Sequence, residues 1–209
     1  MPTKAFAPAD IRALLFDLGG VIIRIDFERV FRRWAELARV PVGQVKSRFS
    51  HGEAYRALER GEIDAKAYFA SLRGELGIDL TDAQFDEGWQ EVLLPQIEPT
   101  VKLLPRLASR LPCHLFSNTN LAHYQVWSRR YAPALAPLQR RFLSHELGMR
   151  KPEPESYLRV AEALGLAPGQ ILFFDDTADN VTGAQAAGVP AVHIRSPEDV
   201  ARAVEPWLR

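Results

Sequence analysis

The chain has almost no cysteine and no long apolar run. Cys113 is the only cysteine among 209 residues, which excludes an internal disulfide framework and a multi-cysteine zinc site. Because Cys113 lies in the apolar segment LPCHLF, we expect a buried thiol rather than a nucleophile. No apolar stretch is long enough to span a bilayer, and the segment MPTKAFAPADIRALLFD lacks the hydrophobic region of a secretory signal. We therefore expect a cytoplasmic protein that does not bind membranes.

The chain also lacks an excess of charge. Its 26 basic and 26 acidic residues balance, so no global field favours nucleic acid or an anionic membrane as a partner. None of the histidines has a metal-ligand spacing such as HExxH, and we expect most of them to be structural; they are His51, His114, His123, His145 and His193. A hydrophobic content of 47% and a charged content of 25% are typical of a soluble globular enzyme.

Short strand-like runs alternate with helical patterns along most of the chain. The strand-like runs are RALLFDL, CHLFSN, RRFLSHE, QILFFDD and VPAVHI. The helical patterns between and after the later runs are TVKLLPRLASR, LAHYQVWSRRY, EPESYLRVAEALG, ADNVTGAQAAG and PEDVARAVEPWL, and Gly165 and Gly188 follow two of them as expected for helix ends. This alternation predicts an α/β fold with a parallel sheet and helices on both faces.

Residues 26–97 interrupt this alternation because they are helical in pattern almost throughout. Three apolar faces recur there, formed by Phe27, Val30, Phe31, Trp34, Leu37 and Ala38, by Tyr68, Leu72 and Leu76, and by Phe85, Trp89, Val92 and Leu93. We expect these aromatic residues to form the core of a small helical insertion. It follows the first strand and ends near LLPQIEP.

Polar residues fall at the predicted carboxyl ends of the strands, where ligands bind in open parallel sheets. They are Asp17, Ser117, Asn118, Lys151, Asp175 and Asp176. Taken singly, the acids could cap helices and the lysine could lie on the surface. Together, carboxylates that suit Mg²⁺ and donors that suit an anion are the parts of a phosphoryl-transfer site that uses an aspartyl-phosphate.

Four motifs in order carry a family resemblance: FDLGGV, SNT, GMRKPEP and FFDDTADNVTGAQAAG. With them the chain resembles the haloacid dehalogenase superfamily of aspartate-nucleophile hydrolases. More narrowly it resembles the bacterial α-D-glucose-1-phosphate phosphatase branch, and more distantly the phosphatase domain of soluble epoxide hydrolase. The resemblance implies a Rossmann-like catalytic core of residues 1–25 and 98–209, with residues 26–97 as a helical cap domain.

The resemblance also implies the metal and the nucleophile. Asp17 would attack phosphorus with one carboxylate oxygen. Its other oxygen would bind Mg²⁺ together with the backbone carbonyl of Gly19 and the carboxylate of Asp176, since GAQAAG fixes the register of the fourth motif.

The remaining site residues have supporting roles by the same resemblance. Ser117 and Asn118 would hold the transferring phosphoryl group, and Lys151 would pair with the nucleophile and with that group. Asp175 would be a supporting acid. Asn180 stands where many relatives carry another carboxylate, so the surroundings of the metal would be less charged here.

Gly19 departs from the superfamily pattern, because most of its phosphatases carry an aspartate two residues after the nucleophile. That acid protonates the leaving oxygen and later activates water, which is typically worth about 10²–10⁴ in rate. A sugar 1-phosphate needs less help, since an anomeric hydroxyl is more acidic than an ordinary alcohol. The sequence therefore predicts an Mg²⁺-dependent phosphatase for a small phosphorylated metabolite such as a hexose 1-phosphate, with the sugar itself, Asp26 or Glu53 as possible sources of help.

Two other functions stay open at this point. A metal-independent haloacid dehalogenase would need no acid because halide leaves without a proton, although the paired acids Asp175 and Asp176 argue against it. A catalytically impaired module that binds a phosphorylated ligand or a protein would have no use for the full set of motif residues. Substrate choice should come from the cap, whose polar candidates are His51, Glu53, Arg56 and Arg60.

Overall fold

The computed structural model describes residues 7–208. The strands in this part of the chain are β1 (Ala13–Phe16), β2 (Ile23–Ile25), β3 (Leu93–Gln96), β4 (Cys113–Ser117), β5 (Arg140–Leu143), β6 (Ile171–Asp175) and β7 (Ala191–His193). The helices are α1 (Phe27–Ala38), α2 (Val42–Arg48), α3 (Glu53–Glu59), α4 (Ala65–Leu76), α5 (Asp82–Gln90), α6 (Glu98–Ala108), α7 (Leu121–Arg130), α8 (Ala132–Leu135), α9 (Ser144–Leu147), α10 (Pro154–Leu164), α11 (Ala178–Ala186) and α12 (Pro197–Leu208), with short 3₁₀ turns at Pro8–Asp10 and Pro168–Gln170.

Five strands form one parallel sheet in the order β5-β4-β1-β6-β7, and each of them lies within one of the five predicted runs. Alternate residues of β1 belong to different apolar clusters: Leu14 and Phe16 pack with α6 and α12, whereas Leu15 packs with α10 and α11. Helices therefore cover both faces, which explains why the central strands are continuous apolar runs. The predicted α/β class is confirmed.

The register of the central strands brings their carboxyl ends together. Phe16 of β1 is opposite Phe174 of β6, and the two rings stack at 4.7 Å. On the other side, Phe16 is opposite Leu115 of β4. Residues that immediately follow these positions along the three strands consequently lie at one edge of the sheet, the edge at which polar groups were expected.

Helices α1 to α5 pack around aromatic side chains. The indoles of Trp34 and Trp89 stack at 5.7 Å, and Trp34 Nε1 donates to the Phe85 carbonyl at 2.9 Å. Gly88 permits this contact, since a Cβ there would lie 2.3 Å from Trp34 Cδ1. The expected aromatic core is present at these residues, and Phe27 packs against it but stays partly exposed because it also lines a cavity.

The helical pattern of residues 26–97 conceals one strand. β3 pairs antiparallel with β2, and Ile97 N donates to the Ile22 carbonyl at 2.7 Å. Along the chain, β2 precedes α1 to α5 and β3 follows them. The pair therefore joins the segment that leaves the five-stranded sheet to the segment that returns to it. The division of the chain at residues 25/26 and 97/98 stays a prediction.

Three smaller expectations have clear outcomes. Gly165 and Gly188 adopt φ values of +68° and +81°, the left-handed conformation expected after a helix. Cys113 is buried, and burial raises the pKa of its thiol to about 12. In the part of the chain that the structure describes, the helices lack the length and apolarity needed to cross a membrane.

His123 joins α7 to α5 in a buried position. Its Nε2 lies 3.0 Å from the Trp89 carbonyl, its Nδ1 lies 3.2 Å from Asn120 Nδ2, and its ring stacks on Trp89 at 4.7 Å. These partners require the neutral ring with its proton on Nε2, since Asn120 already donates to Nδ1. Burial lowers the pKa of His123 to about 4.

This lowered pKa predicts a loss of stability in mild acid. Because the ordinary histidine pKa is about 6.5, the unfolded chain binds more protons than the folded chain between pH 6.5 and pH 4. We expect His123 to contribute about 2 kcal/mol of the free energy of unfolding lost between pH 7.5 and pH 5. Urea unfolding of the wild type and of His123→Gln at both pH values measures this. An equal loss in the two proteins would contradict the assignment.

Candidate active site

Lys151 is at the centre of the polar edge and is almost fully buried, with 1% of its surface exposed. Its ammonium group lies 2.8 Å from Asp17 Oδ1 and 2.7 Å from Asp175 Oδ2, and it donates to the Phe116 carbonyl at 3.1 Å. Three acceptors thus use its three N–H groups. Burial alone would lower the pKa of Lys151, but the charges of Asp17 and Asp175 outweigh it and raise the pKa.

The loop that carries Lys151 is attached to the end of β4 by Asn118. The Asn118 side chain donates to the Lys151 carbonyl and accepts from its backbone N–H, both at 2.9 Å. The side-chain amide is therefore occupied by the loop. The phosphate contact predicted for Asn118 would therefore have to come from its backbone N–H, beside the hydroxyl of Ser117 that ends β4, and both phosphate contacts stay predictions.

Asp175 ends β6 and is fully buried. Its carboxylate accepts from Lys151, from Thr177 N at 2.8 Å and from Asn180 Nδ2 at 3.0 and 3.1 Å. An amide at position 180 can donate to Asp175, whereas a carboxylate there would repel it. Asp175 therefore holds Lys151 from behind, in keeping with the supporting role predicted for it.

Asp17, Asp175 and Asp176 offer carboxylate oxygens that lie within 4.8 Å of one another. Burial raises the pKa of Asp17 to about 8, and the charges of Asp175 and Asp176 add to this effect while Lys151 opposes it. A divalent cation among these oxygens would relieve the repulsion, and hard oxygen donors suit Mg²⁺. Since Asp175 is already saturated with hydrogen bonds, Asp17 and Asp176 are the carboxylates that fit such an ion.

The two glycines after Asp17 have different constraints. Gly20 has a φ of +69°, and a Cβ there would lie 1.9 Å from Asp176 Oδ2. A Cβ on Gly19 would meet only the side chain of Ile25, with its nearest atom Cδ1 at 3.1 Å. Backbone geometry and the position of Asp176 therefore require glycine at position 20. A Cβ at position 19 would require only a small shift of the flexible Ile25 side chain.

A cavity of about 340 Å³ lies over this edge. From the strand ends it is lined by the predicted site residues Asp17, Gly19, Ser117, Asn118, Lys151, Asp176 and Asn180, whereas Asp175 lies behind it. Its opposite wall includes Phe27, His51, Tyr55 and Glu59 from residues 26–97, together with Arg150. The structure thus brings the predicted strand-end residues, apart from Asp175, to the lining of one cavity.

Of the polar candidates expected between residues 26 and 97, His51 alone is part of the cavity lining. Arg60 pairs with Glu53 on the protein surface, and Arg56 lies 3.9 Å from Glu53. Asp26 accepts a hydrogen bond from the backbone at the start of α1, which is the role of a helix cap. Asp26 and Glu53 are therefore not placed to replace the acid missing at position 19.

Several polar residues of the lining were missed in the sequence, and three of them, Tyr55, Glu59 and Arg150, belong to the wall opposite the strand ends. Tyr55 and Glu59 are four positions apart and share one face of α3, and Arg150 directly precedes Lys151. The spacing of Tyr55 and Glu59 was visible, but a seven-residue helix does not reveal which of its faces is turned inwards.

Residues 11–188 match the family model of the haloacid dehalogenase-like hydrolases. The chain belongs to this family. The superfamily resemblance drawn from the four motifs is thereby confirmed, and with it the prediction of a hydrolase. The narrower glucose-1-phosphate phosphatase branch stays a prediction.

Similar proteins agree with this assignment over most of the chain. A D-ribitol-5-phosphate phosphatase of Bacteroides thetaiotaomicron is 25% identical over 82% of this chain and 85% of its own length. Hexitol phosphatase A of Escherichia coli is 26% identical over 91% and 86%. The structure of a family enzyme of B. thetaiotaomicron in complex with magnesium and inorganic phosphate superposes with a TM-score of 0.79 at 27% identity, covering 92% of this chain and 98% of that one.

The glycine geometry predicts unequal effects on metal binding. In Gly20→Ala the new methyl group must displace the Asp176 carboxylate, and a displacement of about 1 Å can cost about 10²-fold in function. We therefore expect Mg²⁺ affinity to fall by about tenfold or more. Gly19→Ala is the matched control and should bind Mg²⁺ as the wild type does. Titration calorimetry measures both, and equal affinities of the two variants would contradict the assignment of Asp176.

Proposed function

We propose that the protein is an Mg²⁺-dependent phosphatase that hydrolyses a small phosphorylated metabolite through an aspartyl-phosphate on Asp17. The observation that carries this proposal is the environment of Asp17. Its Oδ1 accepts from Lys151 at 2.8 Å and from Leu18 N at 2.7 Å, and its carboxylate opens into the cavity beside Asp176. A carboxylate held in this way is oriented for attack while a cation balances its charge.

In this mechanism one Asp17 oxygen attacks phosphorus, and the bond from phosphorus to the ester oxygen breaks. Water then attacks the phosphorus of the acyl phosphate, which releases inorganic phosphate and regenerates Asp17. Lys151 stays bonded to Asp17 and Asp175 and neutralises the charge that accumulates on the phosphoryl oxygens. The Ser117 hydroxyl and the Asn118 backbone N–H hold those oxygens.

The residues present fit a magnesium ion. Asp17, Asp176 and the Gly19 carbonyl would hold it, and all three residues line the cavity. When bound there, Mg²⁺ supplies charge neutralisation between the two carboxylates and the phosphoryl oxygens.

The class of substrate is inferred from the missing acid at position 19 and from the substrates that the names of similar proteins give. With glycine at position 19, the leaving group must depart with little help from a protein acid. A sugar phosphate such as a hexose 1-phosphate meets this condition because its anomeric hydroxyl is comparatively acidic. The names of the pentitol and hexitol phosphatases among the similar proteins support a small polyhydroxylated phosphate ester.

The first test concerns the nucleophile and the metal. Purified protein with Mg²⁺ should release phosphate from sugar phosphates, and a chelator should abolish the release. Asp17→Asn should lower the rate by about 10⁴-fold, as expected for loss of a nucleophile, and the protein should still unfold cooperatively on heating. Malachite green assays and calorimetry measure these effects.

Two other results would overturn this assignment. Halide release from haloacids by protein that releases no phosphate from a broad ester panel would identify a dehalogenase. Tight binding of phosphorylated ligands with no turnover of any ester would identify a binding module.

The second test concerns Gly19. Without a protein acid, the leaving oxygen carries most of its negative charge in the transition state, so kcat/KM should depend steeply on leaving-group pKa. Across a series of substituted phenyl phosphates we expect a loss of about tenfold or more per two pKa units of the phenol. Assays at fixed pH with Gly19→Ala as a control measure the slope. A flat dependence would show that another residue donates the proton.

A further inference from the structure

An ion pair crosses the cavity wall on the side away from Asp17. Arg150 Nε lies 2.8 Å from Glu59 Oε2, and the two side chains are 18% and 6% exposed. Both residues line the cavity that contains Asp17 and Lys151. The pair joins α3 to the loop of the catalytic lysine.

The pair has hydrogen-bonding capacity left over. Among residues 7–208, the Arg150 side chain donates only to Glu59, although a guanidinium has five N–H groups. Glu59 Oε1 does not bond to Arg150, and the Tyr55 hydroxyl interacts with the same carboxylate, whose oxygens can each accept more than one hydrogen bond. Both side chains border the cavity, so a ligand in it can bond to the N–H groups of Arg150 that Glu59 does not use and to the Glu59 carboxylate.

The rest of this wall carries no net charge. Tyr55 lies one turn before Glu59, and its pKa is raised well above the ordinary value by burial and by the charge of Glu59, so its hydroxyl stays protonated. His51 has a pKa lowered by burial and by Arg150, so it is neutral at pH 7. Phe27 and Ile25 complete the wall with apolar surface. The positive charge of Arg150 is therefore balanced by Glu59 and by no other lining residue on this side.

Resting on the proposed phosphatase function, we propose that the Glu59–Arg150 pair determines substrate specificity by binding hydroxyl groups of an uncharged, polyhydroxylated leaving group. Glu59 accepts from a hydroxyl of the leaving group, and Arg150 donates to another. An anionic leaving group is rejected, because Glu59 neutralises the cation that would otherwise bind it and adds a repelling carboxylate.

The experiment breaks the same ion pair from either end. Glu59→Gln leaves Arg150 as an unpaired cation, so kcat/KM for 2-phosphoglycolate relative to ribitol 5-phosphate should rise by about tenfold or more. Arg150→Gln leaves the carboxylate unpaired, so at pH 8 the same ratio should fall below the wild-type value. D-Glucose 1-phosphate serves as a second polyhydroxylated substrate, and p-nitrophenyl phosphate reports general damage to the site.

A purely structural role for the pair predicts a different pattern. If Glu59 and Arg150 only fastened α3 to the loop, both variants would change the ratio in the same direction or leave it unchanged, and either result overturns the inference. Glu53→Gln is the matched control, because Glu53 is on the same helix, pairs with Arg60 and lies outside the cavity lining. It should leave the ratio unchanged.

The outcome separates this inference from the proposed function. Wild-type turnover with no opposite shifts in the two variants overturns the specificity role alone. If no ester is hydrolysed, the phosphatase proposal fails, and the ratio is then taken from dissociation constants of the same phosphates by calorimetry. If Glu59→Gln does not fold, Arg150→Gln alone tests the inference. A fall in the ratio of 2-phosphoglycolate to ribitol 5-phosphate supports it, and an unchanged ratio overturns it.

Discussion

The buried ammonium group of Lys151 lies between Asp17 and Asp175, and the rest of the site is arranged around this contact. An unpaired charge in such a place would be costly, so each carboxylate depends on Lys151, whereas the two carboxylates repel each other. The contact ties together the ends of β1 and β6 and the loop before α10, while Asn118 fastens that loop to the end of β4. The oxygens of Asp175 are already hydrogen-bonded to Lys151, Thr177 and Asn180. Of the two carboxylates that bind Lys151, Asp17 is therefore the one that can act in the cavity.

Much of this arrangement could be predicted from the sequence because it depends on local rules. Central strands covered on both faces are continuous apolar runs, and the residues that end them share one edge, so Asp17, Ser117 and Asp175 are recognisable without coordinates. What could not be predicted depends on distant pairings. β2 and β3 are short, and their pairing joins residues about 70 positions apart. A four-residue strand containing Pro95 has no period that distinguishes it from the end of a helical insertion.

The orientation of α3 is the second feature that the sequence does not reveal. Glu53 and Arg56 were the polar candidates predicted on this helix, but Tyr55 and Glu59 are the residues that line the cavity. All four are polar, so apolar periodicity does not rank them. Two kinds of contact distant in the chain hold this face inwards: Leu58 packs into the apolar core, and Glu59 pairs with Arg150 across 91 positions of the chain. The sequence reveals neither contact directly, which is why the strand ends were predicted better than the opposite wall.

Gly19 and Gly20 are adjacent, but structural constraints explain the glycine only at position 20. Gly20 is fixed by its backbone conformation and by the Asp176 carboxylate that occupies the space of a side chain. Gly19 has no comparable backbone constraint. Its effect is on the chemistry, because residue 19 offers a backbone carbonyl to the cavity but has no acidic side chain that could donate a proton. Discrimination must then come from the leaving group itself and from the wall that binds it. Since Arg150 directly precedes Lys151, one loop carries both the residue that binds Asp17 and the residue that pairs with Glu59, so the proposed specificity role would couple substrate choice to catalysis.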